Sequence, residues 1–209
     1  MKGEGLDVFY PIVPDAAWLA RLVPLGIRTV QLRLKDAASE RIRREIGASI
    51  EVCAHHDCQL VVNDHWREAL ALGADYVHLG QEDLLDADVP TIQAKGMRLG
   101  ISTHSEAELD RALEVEPDYI ALGPIYETKL KVMRFAPQGL ARVAEWKRRI
   151  GALPLVGIAG ITPERADAVI GAGADSVAVI TDIFANADPE ARVVRWLQWA
   201  ALARARGRE

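Results

Sequence analysis

The sequence predicts a (β/α)8 barrel forming a single domain over residues 1–209, and three observations predict it. Eight short apolar runs alternate with segments of helical apolar spacing, at intervals of roughly 20–35 residues. Gly73-Ala74-Asp75-Tyr76-Val77 and Gly173-Ala174-Asp175-Ser176-Val177 echo one another, each ending a helix and starting a strand. The alternative, an open doubly wound sheet, carries its glycine-rich phosphate loop after the first strand, and nothing glycine-rich follows Val13.

The first strand is Asp7 to Val13, followed by a helix whose stripe holds Trp18, Leu19, Leu22 and Leu25 and which Gly26 closes. The second runs from Thr29 to Asp36, where Val30, Leu32 and Leu34 alternate with Gln31, Arg33 and Lys35 at period two. Ser39 and Glu40 open a helix carrying Ile42, Ile46, Ile50 and Cys53. Gln59–Asn63 is the third strand, Trp66–Leu72 a short helix, and Tyr76–Gly80 the fourth strand. Asp88-Val89-Pro90-Thr91 starts a helix with proline just inside it.

Arg98–Ser102 is the fifth strand, and Ser105 with Glu108 has capping-box spacing before the next helix. Asp118–Gly123 is the sixth. A long irregular stretch, Pro124 to Pro137, precedes a helix from about Gly139 to Ile150. Pro154–Ile158 is the seventh strand, Thr162-Pro163-Glu164 caps a helix, Ser176–Ile180 is the eighth strand, and the last helix runs from about Pro189 to Ala205. The five tryptophans fall in helical patterns and are expected to pack helices.

A net charge of −5 gives no basic footprint for nucleic acid. No apolar run approaches the ~18 residues a membrane span needs. Met1 to Asp7 shows no targeting pattern, so a cytoplasmic protein is expected. Cys53 and Cys58 flank His55 and His56, but zinc motifs need a second ligand pair and none is present, so reduced structural thiols are expected. The sequence is silent on self-association, and a homo-oligomer is compatible with it.

In such barrels the active site lies at the C-terminal strand ends. These ends read Lys35-Asp36, Asn63-Asp64, Gln81-Glu82-Asp83, Ser102-Thr103-His104, the 124–137 connection, Gly160 and Thr181, a polar ring of cations, carboxylates and small hydroxyls. A closed barrel has no edges, so Gln31, Arg33 and Lys35 face the mouth rather than solvent beside an edge strand. Asp64 and Asp83 follow consecutive strands. Two facing carboxylates beside cations suit Mg2+, which keeps several waters and bridges to substrate phosphates; the competing reading is helix capping by Asp64 and a turn at Asp83. The glycine turn after the seventh strand and the small residues after the eighth match the commonest phosphate site of this fold. Two anion sites imply small phosphorylated molecules as partners.

Gln31-x-Arg33-x-Lys35, Asn63-Asp64, His78-Leu79-Gly80-Gln81-Glu82-Asp83, Gly100-Ile101-Ser102-Thr103 and Gly123-Pro124-Ile125-Tyr126-x-Thr128-x-x-Lys131 resemble, in order and spacing, the thiamine phosphate synthase family. The resemblance extends through Ala136-Pro137-Gln138-Gly139 to Ile180. It implies a transferase joining a pyrimidine-methyl diphosphate to a thiazole phosphate, with release of pyrophosphate. Diphosphate leaves first, and the thiazole nitrogen captures the resulting carbocation. It also implies that Gln31, Arg33, Lys35, Asn63, Ser102 and Lys131 hold the pyrimidine diphosphate, with Arg33, Lys35, Ser102 and Lys131 as the catalytic set. Asp64 and Asp83 then hold Mg2+, while Thr128, Gly160, Ile180 and Thr181 hold the thiazole phosphate.

The chain departs from the family pattern at Glu127 (usually Pro), Leu130 (often Thr), Ala159 (Gly) and Thr181 (Ser). A thiazole tautomerase of the same superfamily, with His104 as acid/base, and a non-catalytic binder of thiamine intermediates are the alternatives; the intact cation set with both carboxylates argues against each. His78 reads as a packing or supporting histidine. The 124–137 connection is expected to close over the ligands and bring Lys131 to the diphosphate.

Overall fold

In the computed structural model, which describes residues 5–127 and 135–206, eight parallel strands close into a barrel in sequence order. They are β1 (Phe9–Val13), β2 (Thr29–Leu32), β3 (Gln59–Asn63), β4 (Tyr76–Leu79), β5 (Arg98–Thr103), β6 (Tyr119–Leu122), β7 (Leu155–Ile158) and β8 (Ser176–Val179). The ring shuts where Phe9 of β1 lies opposite Val177 of β8. Around it run α1 (Ala16–Leu22), α2 (Ser39–His55), α3 (Trp66–Ala71), α4 (Gln81–Asp86), α5 (Val89–Ala94), α6 (Glu106–Glu114), α7 (Gly139–Ile150), α8 (Pro163–Gly171), α9 (Thr181–Phe184) and α10 (Pro189–Arg206).

Two of these helices differ from the sequence expectation. Gln81-Glu82-Asp83 and Thr181 read as polar strand ends but begin helices Gln81–Asp86 and Thr181–Phe184, of 6 and 4 residues. Segments that short cannot display the apolar stripe by which a helix is recognised. β2 is also shorter than expected. Its ladder stops at Leu32, although the Arg33 N–H still donates to the Val13 carbonyl at 2.9 Å.

Alternation at period two splits the core into two layers. Tyr10, Ile12, Val61, Tyr76, Tyr119, Ala121, Val156 and Ala178 point inward and pack together inside the barrel. Their strand neighbours, among them Phe9, Val30, Leu32, Val77, Leu99 and Ile101, point outward into the larger layer beneath the helices. The same alternation corrects the expected mouth ring at Thr103. It is fully buried on the outer face, where its hydroxyl donates to the Ala121 carbonyl (3.0 Å) and accepts from Trp146 Nε1 (3.0 Å). Trp146 and Trp196 are completely buried in helices, and Trp196 stacks on Phe9 with ring centres 5.1 Å apart.

Side-chain caps set the helix starts. Asp15 accepts from the Trp18 amide (2.8 Å), Asp88 from the Thr91 amide (3.1 Å), and Ser105 from the Glu108 amide (3.3 Å). Glu108 completes the box one residue further back than expected, accepting from both the amide and the ring of His104. At the opposite face, the aspartates that precede β6 and β8 hold neighbouring strands: Asp118 accepts from the Leu99 amide and Asp175 from the Leu155 amide. That gives the Gly-Ala-Asp element before β8 its structural reason. Cys53 and Cys58 are free, buried thiols, and the Cys53 neighbour, then burial, pushes the Cys58 thiol upward.

Gly100 is the position on which the inner layer turns. It lies opposite His78 of β4 and Tyr119 of β6, and a Cβ there would meet the Tyr119 ring at 2.1 Å. The missing side chain lets that ring lean across β5. Gly100→Ala should therefore lower unfolding stability by about 1–3 kcal/mol through overpacking. Gly47→Ala, in α2 with nothing within 4 Å of its Cβ, should instead raise it by about 0.5–1 kcal/mol. Denaturant unfolding of the two variants checks the contrast.

Candidate active site

β2 and the segment that continues it carry three polar side chains upward out of the barrel. Gln31 is buried (3% exposed), Arg33 half-buried and Lys35 exposed, a gradient set by their height above the packed interior. Arg33 and Lys35 then line a cleft of about 440 Å³ at the mouth, together with Asp36, Asp64, His65 and Asp83. Asp36 and Asp64 both adopt left-handed backbone, at φ 49° and 64°, which short polar side chains tolerate better than most. The cap position of α3 is His65, and no side chain caps that helix, so Asp64 is free to face Asp83 in the first turn of α4.

The two carboxyl groups lie close enough to share a hydrogen bond. Burial first, and then the charge of Asp83, push the Asp64 carboxyl up to about 6, against the opposing pull of Arg33. His65 Nε2 sits buried nearby without a hydrogen-bond partner among the described residues. Among those residues no group of three or more His, Cys, Asp or Glu side chains is arranged to hold a metal ion, so the donor set is this pair alone. Two under-neutralised carboxylates beside two cations fit a hard divalent ion that takes its remaining ligands from water and phosphate.

Beneath the cleft a continuous hydrogen-bond chain crosses the barrel. Gln31 Nε2 donates to the Tyr10 hydroxyl (2.9 Å), which lies 3.1 Å from the Tyr119 hydroxyl. The Tyr119 hydroxyl lies 2.6 Å from His78 Nδ1, and His78 Nε2 lies 2.7 Å from Ser102 Oγ. Tyr119 and His78 also stack, with rings 5.5 Å apart and 18° from parallel. Burial, then Arg33, lowers the His78 imidazole to about 3, and burial raises both tyrosines, so all three are neutral near pH 7. Gln81 grips Ser102 from the other side, donating to its carbonyl at 2.8 Å, and is itself braced by Arg111. Asn63 is buried directly opposite His78 in the β3–β4 register.

The far rim is formed by the ends of β7 and β8. Ala159 and Gly160 are both left-handed, at φ 77° and 68°. The space a Gly160 Cβ would need is taken by the Glu127 carbonyl at 2.6 Å and Tyr126 Cβ at 2.7 Å, so the chain's own 126–127 segment demands this glycine. Arg165 donates to the Gly160 carbonyl (2.9 Å) and lies over the Tyr126 ring at 4.8 Å. Ile180 and Thr181 begin α9. That helix is held by Asp182, which takes a bidentate Arg192 at 2.7 and 2.8 Å and the Trp196 indole at 2.8 Å.

The cleft therefore gathers Arg33, Lys35, Asp64 and Asp83, the barrel interior holds Gln31, Asn63 and Ser102, and the opposite rim holds Gly160, Ile180 and Thr181. Thr128 and Lys131, with most of the expected covering segment, lie outside the described residues. His104 is engaged by Glu108 at 2.9 Å and stacked on Phe135 at 4.7 Å. Sequence reasoning missed Tyr10 and Tyr119 as members of the site. Their signal was present: period two points both inward, and Gly100 leaves room beside Tyr119.

The sequence profile of the thiamine monophosphate synthase family matches residues 10–183, a span that contains nearly all of β1 and every later strand. The chain belongs to the thiamine monophosphate synthase family. It is 54% identical over 192 residues to the thiamine-phosphate synthase of Rhizobium etli, covering 92% of this chain and 94% of that protein. It is 48% identical over 185 residues to the thiamine-phosphate synthase of Neisseria meningitidis serogroup A, covering 88% of this chain and 90% of that protein. The structure resembles that of thiamine phosphate pyrophosphorylase from Pyrococcus furiosus with a TM-score of 0.79 at 23% identity, over 94% of this chain and 96% of that one. This last likeness shows the fold.

Within this thiamine monophosphate synthase family member, two substitutions probe the strain stored around the mouth. The native Asp64 carboxyl holds its proton more tightly than the unfolded one, so metal-free stability falls as pH rises from about 4 through 6. Asp64→Asn should remove that penalty. It should stabilise the metal-free protein by about 1–2 kcal/mol at pH 7, a figure reduced for partial exposure, and the gain should shrink towards zero at pH 4. Ala159→Gly should relieve left-handed strain and raise stability by about 0.5–1 kcal/mol, unlike most Ala-to-Gly changes. Urea titrations across pH check both.

Proposed function

We propose that the protein is a thiamine phosphate synthase. It condenses 4-amino-2-methyl-5-hydroxymethylpyrimidine diphosphate with thiazole phosphate to give thiamine phosphate and pyrophosphate. The observation that carries this reading is the cleft that Arg33 and Lys35 line together with the Asp64–Asp83 pair. Such a cleft suits a diphosphate with a divalent ion, and the relatives at 54% and 48% identity bear the corresponding name.

On this reading Gln31, Arg33, Lys35, Asn63, Ser102 and Lys131 bind the pyrimidine diphosphate. Asp64 and Asp83 hold Mg2+, while Thr128, Gly160, Ile180 and Thr181 bind the thiazole phosphate. When bound, the ion supplies positive charge to the diphosphate oxygens. The methylene carbon–oxygen bond breaks with its electron pair leaving on diphosphate, and the thiazole nitrogen lone pair then forms the new carbon–nitrogen bond. No proton is exchanged, so no general base is needed. Arg33, Lys35 and the Ser102 hydroxyl act where negative charge grows, which is where fixed donors lower a barrier most. The buried thiols and phosphorylated substrates suit a reducing cytoplasm.

Incubation with both phosphorylated precursors and Mg2+ should yield thiamine phosphate and pyrophosphate in equal amounts, and excess EDTA should stop it. Lys35→Ala should lower kcat/KM for the diphosphate by about 100-fold while thiazole phosphate affinity, read by calorimetry, stays within about two-fold. Full turnover in EDTA would overturn the metal assignment. Equal losses for both ligands would overturn the separation of the two anion sites.

A further inference from the structure

The chain from Gln31 through Tyr10, Tyr119 and His78 to Ser102 joins two residues assigned to the same substrate by three that have no assigned role. Each interior member is neutral, with one hydrogen to donate and one acceptor to fill, so the four bonds cannot be oriented independently. Gln31 presents Nε2, a donor, to Tyr10. Tyr10 must then donate to Tyr119, because accepting from both sides would leave its own proton buried without a partner, which costs about 1–3 kcal/mol. Tyr119 in turn donates to His78 Nδ1. The His78 proton is thereby placed on Nε2, where it donates to Ser102 Oγ.

This order fixes what both ends offer the mouth. Gln31 Oε1 accepts no hydrogen bond from any described residue, and the Ser102 hydroxyl keeps its proton for the substrate. The geometry points to Tyr119 and His78 as positioning residues that transmit hydrogen-bond polarity from Gln31 to Ser102, so that an amide oxygen and a hydroxyl proton face the pyrimidine diphosphate together. The inference rests on the proposed function. That pairing matches the charge that develops as the carbon–oxygen bond breaks. The aminopyrimidine becomes positive, and its amino N–H is best met by an acceptor. The departing diphosphate becomes negative, and its oxygens are best met by a donor. The reversed order would offer an amide N–H to the cation and a hydroxyl lone pair to the anion, opposing the reaction at both ends. Gly100 is what permits the arrangement, since any side chain there would displace the Tyr119 ring from His78.

The test breaks one chain at two places. Tyr119→Phe and Tyr10→Phe each remove a hydroxyl and keep the ring. Each should lower kcat by about 10- to 100-fold with KM for thiazole phosphate unchanged, and the double variant should lose no more than the worse single one, since both break the same chain. Nitrogen NMR of ligand-free wild-type protein, with His78 assigned by comparison with His78→Asn, should find its proton on Nε2. Additive losses, or a proton on Nδ1, would overturn the inference. If Tyr119→Phe does not fold, Tyr10→Phe with the tautomer measurement gives the same decision. Wild-type protein that makes no thiamine phosphate would refute the proposed function instead, while the tautomer would still report the chain's order.

Discussion

Closure of eight parallel strands is the constraint from which the rest of this molecule follows. Once β8 pairs with β1, every strand residue points either into the barrel or out beneath the helices, with no edge left over. Any polar side chain on the inward set must then find a partner inside or reach the mouth. Gln31, Tyr10, Tyr119, His78 and Ser102 meet that demand by bonding to one another. Their chain also runs upward, from fully buried tyrosines to a partly exposed serine, so the device that satisfies the core also reaches the mouth.

The mouth works against folding stability where it is built for chemistry. Asp64 occupies left-handed backbone and faces a like charge, and its carboxyl is pushed to about 6. A core designed for stability would avoid both features. The packed strands beneath hold the loop ends in place, and on the proposed function a divalent ion with a diphosphate would complete the charge balance. Relief of such strain by a bound ligand is one way a site becomes selective for the ligand that supplies the missing charge.

The opposite rim solves its packing locally. Gly160 is required by the close approach of Tyr126 and Glu127, whereas Ala159 tolerates a conformation glycine would adopt more easily. Beside β8, both carboxylate oxygens of Asp182 are occupied by Arg192 and the Trp196 indole. This partly buried bidentate pair joins α9 to α10.

By itself, the sequence determined the architecture and the residue types of the site. Alternation at period two and helical stripes repeat eight times, and such patterns are local, so Gln31, Arg33, Lys35, Asp64, Asp83 and Ser102 could be placed at strand ends without coordinates. Local patterns fall short where neighbours in space are distant in sequence. Nothing near Tyr119 announces His78, 41 residues away, or Tyr10, 109 away; the parallel register brings them together. Thr103 read as part of the mouth until closure sent it to the outer layer against Trp146. The helices at Gln81 and Thr181 were hidden because a helix of one or two turns is stabilised by what it docks on rather than by its own sequence. Which residues carry charge was written in the chain; which proton points where was decided only when the barrel closed around it.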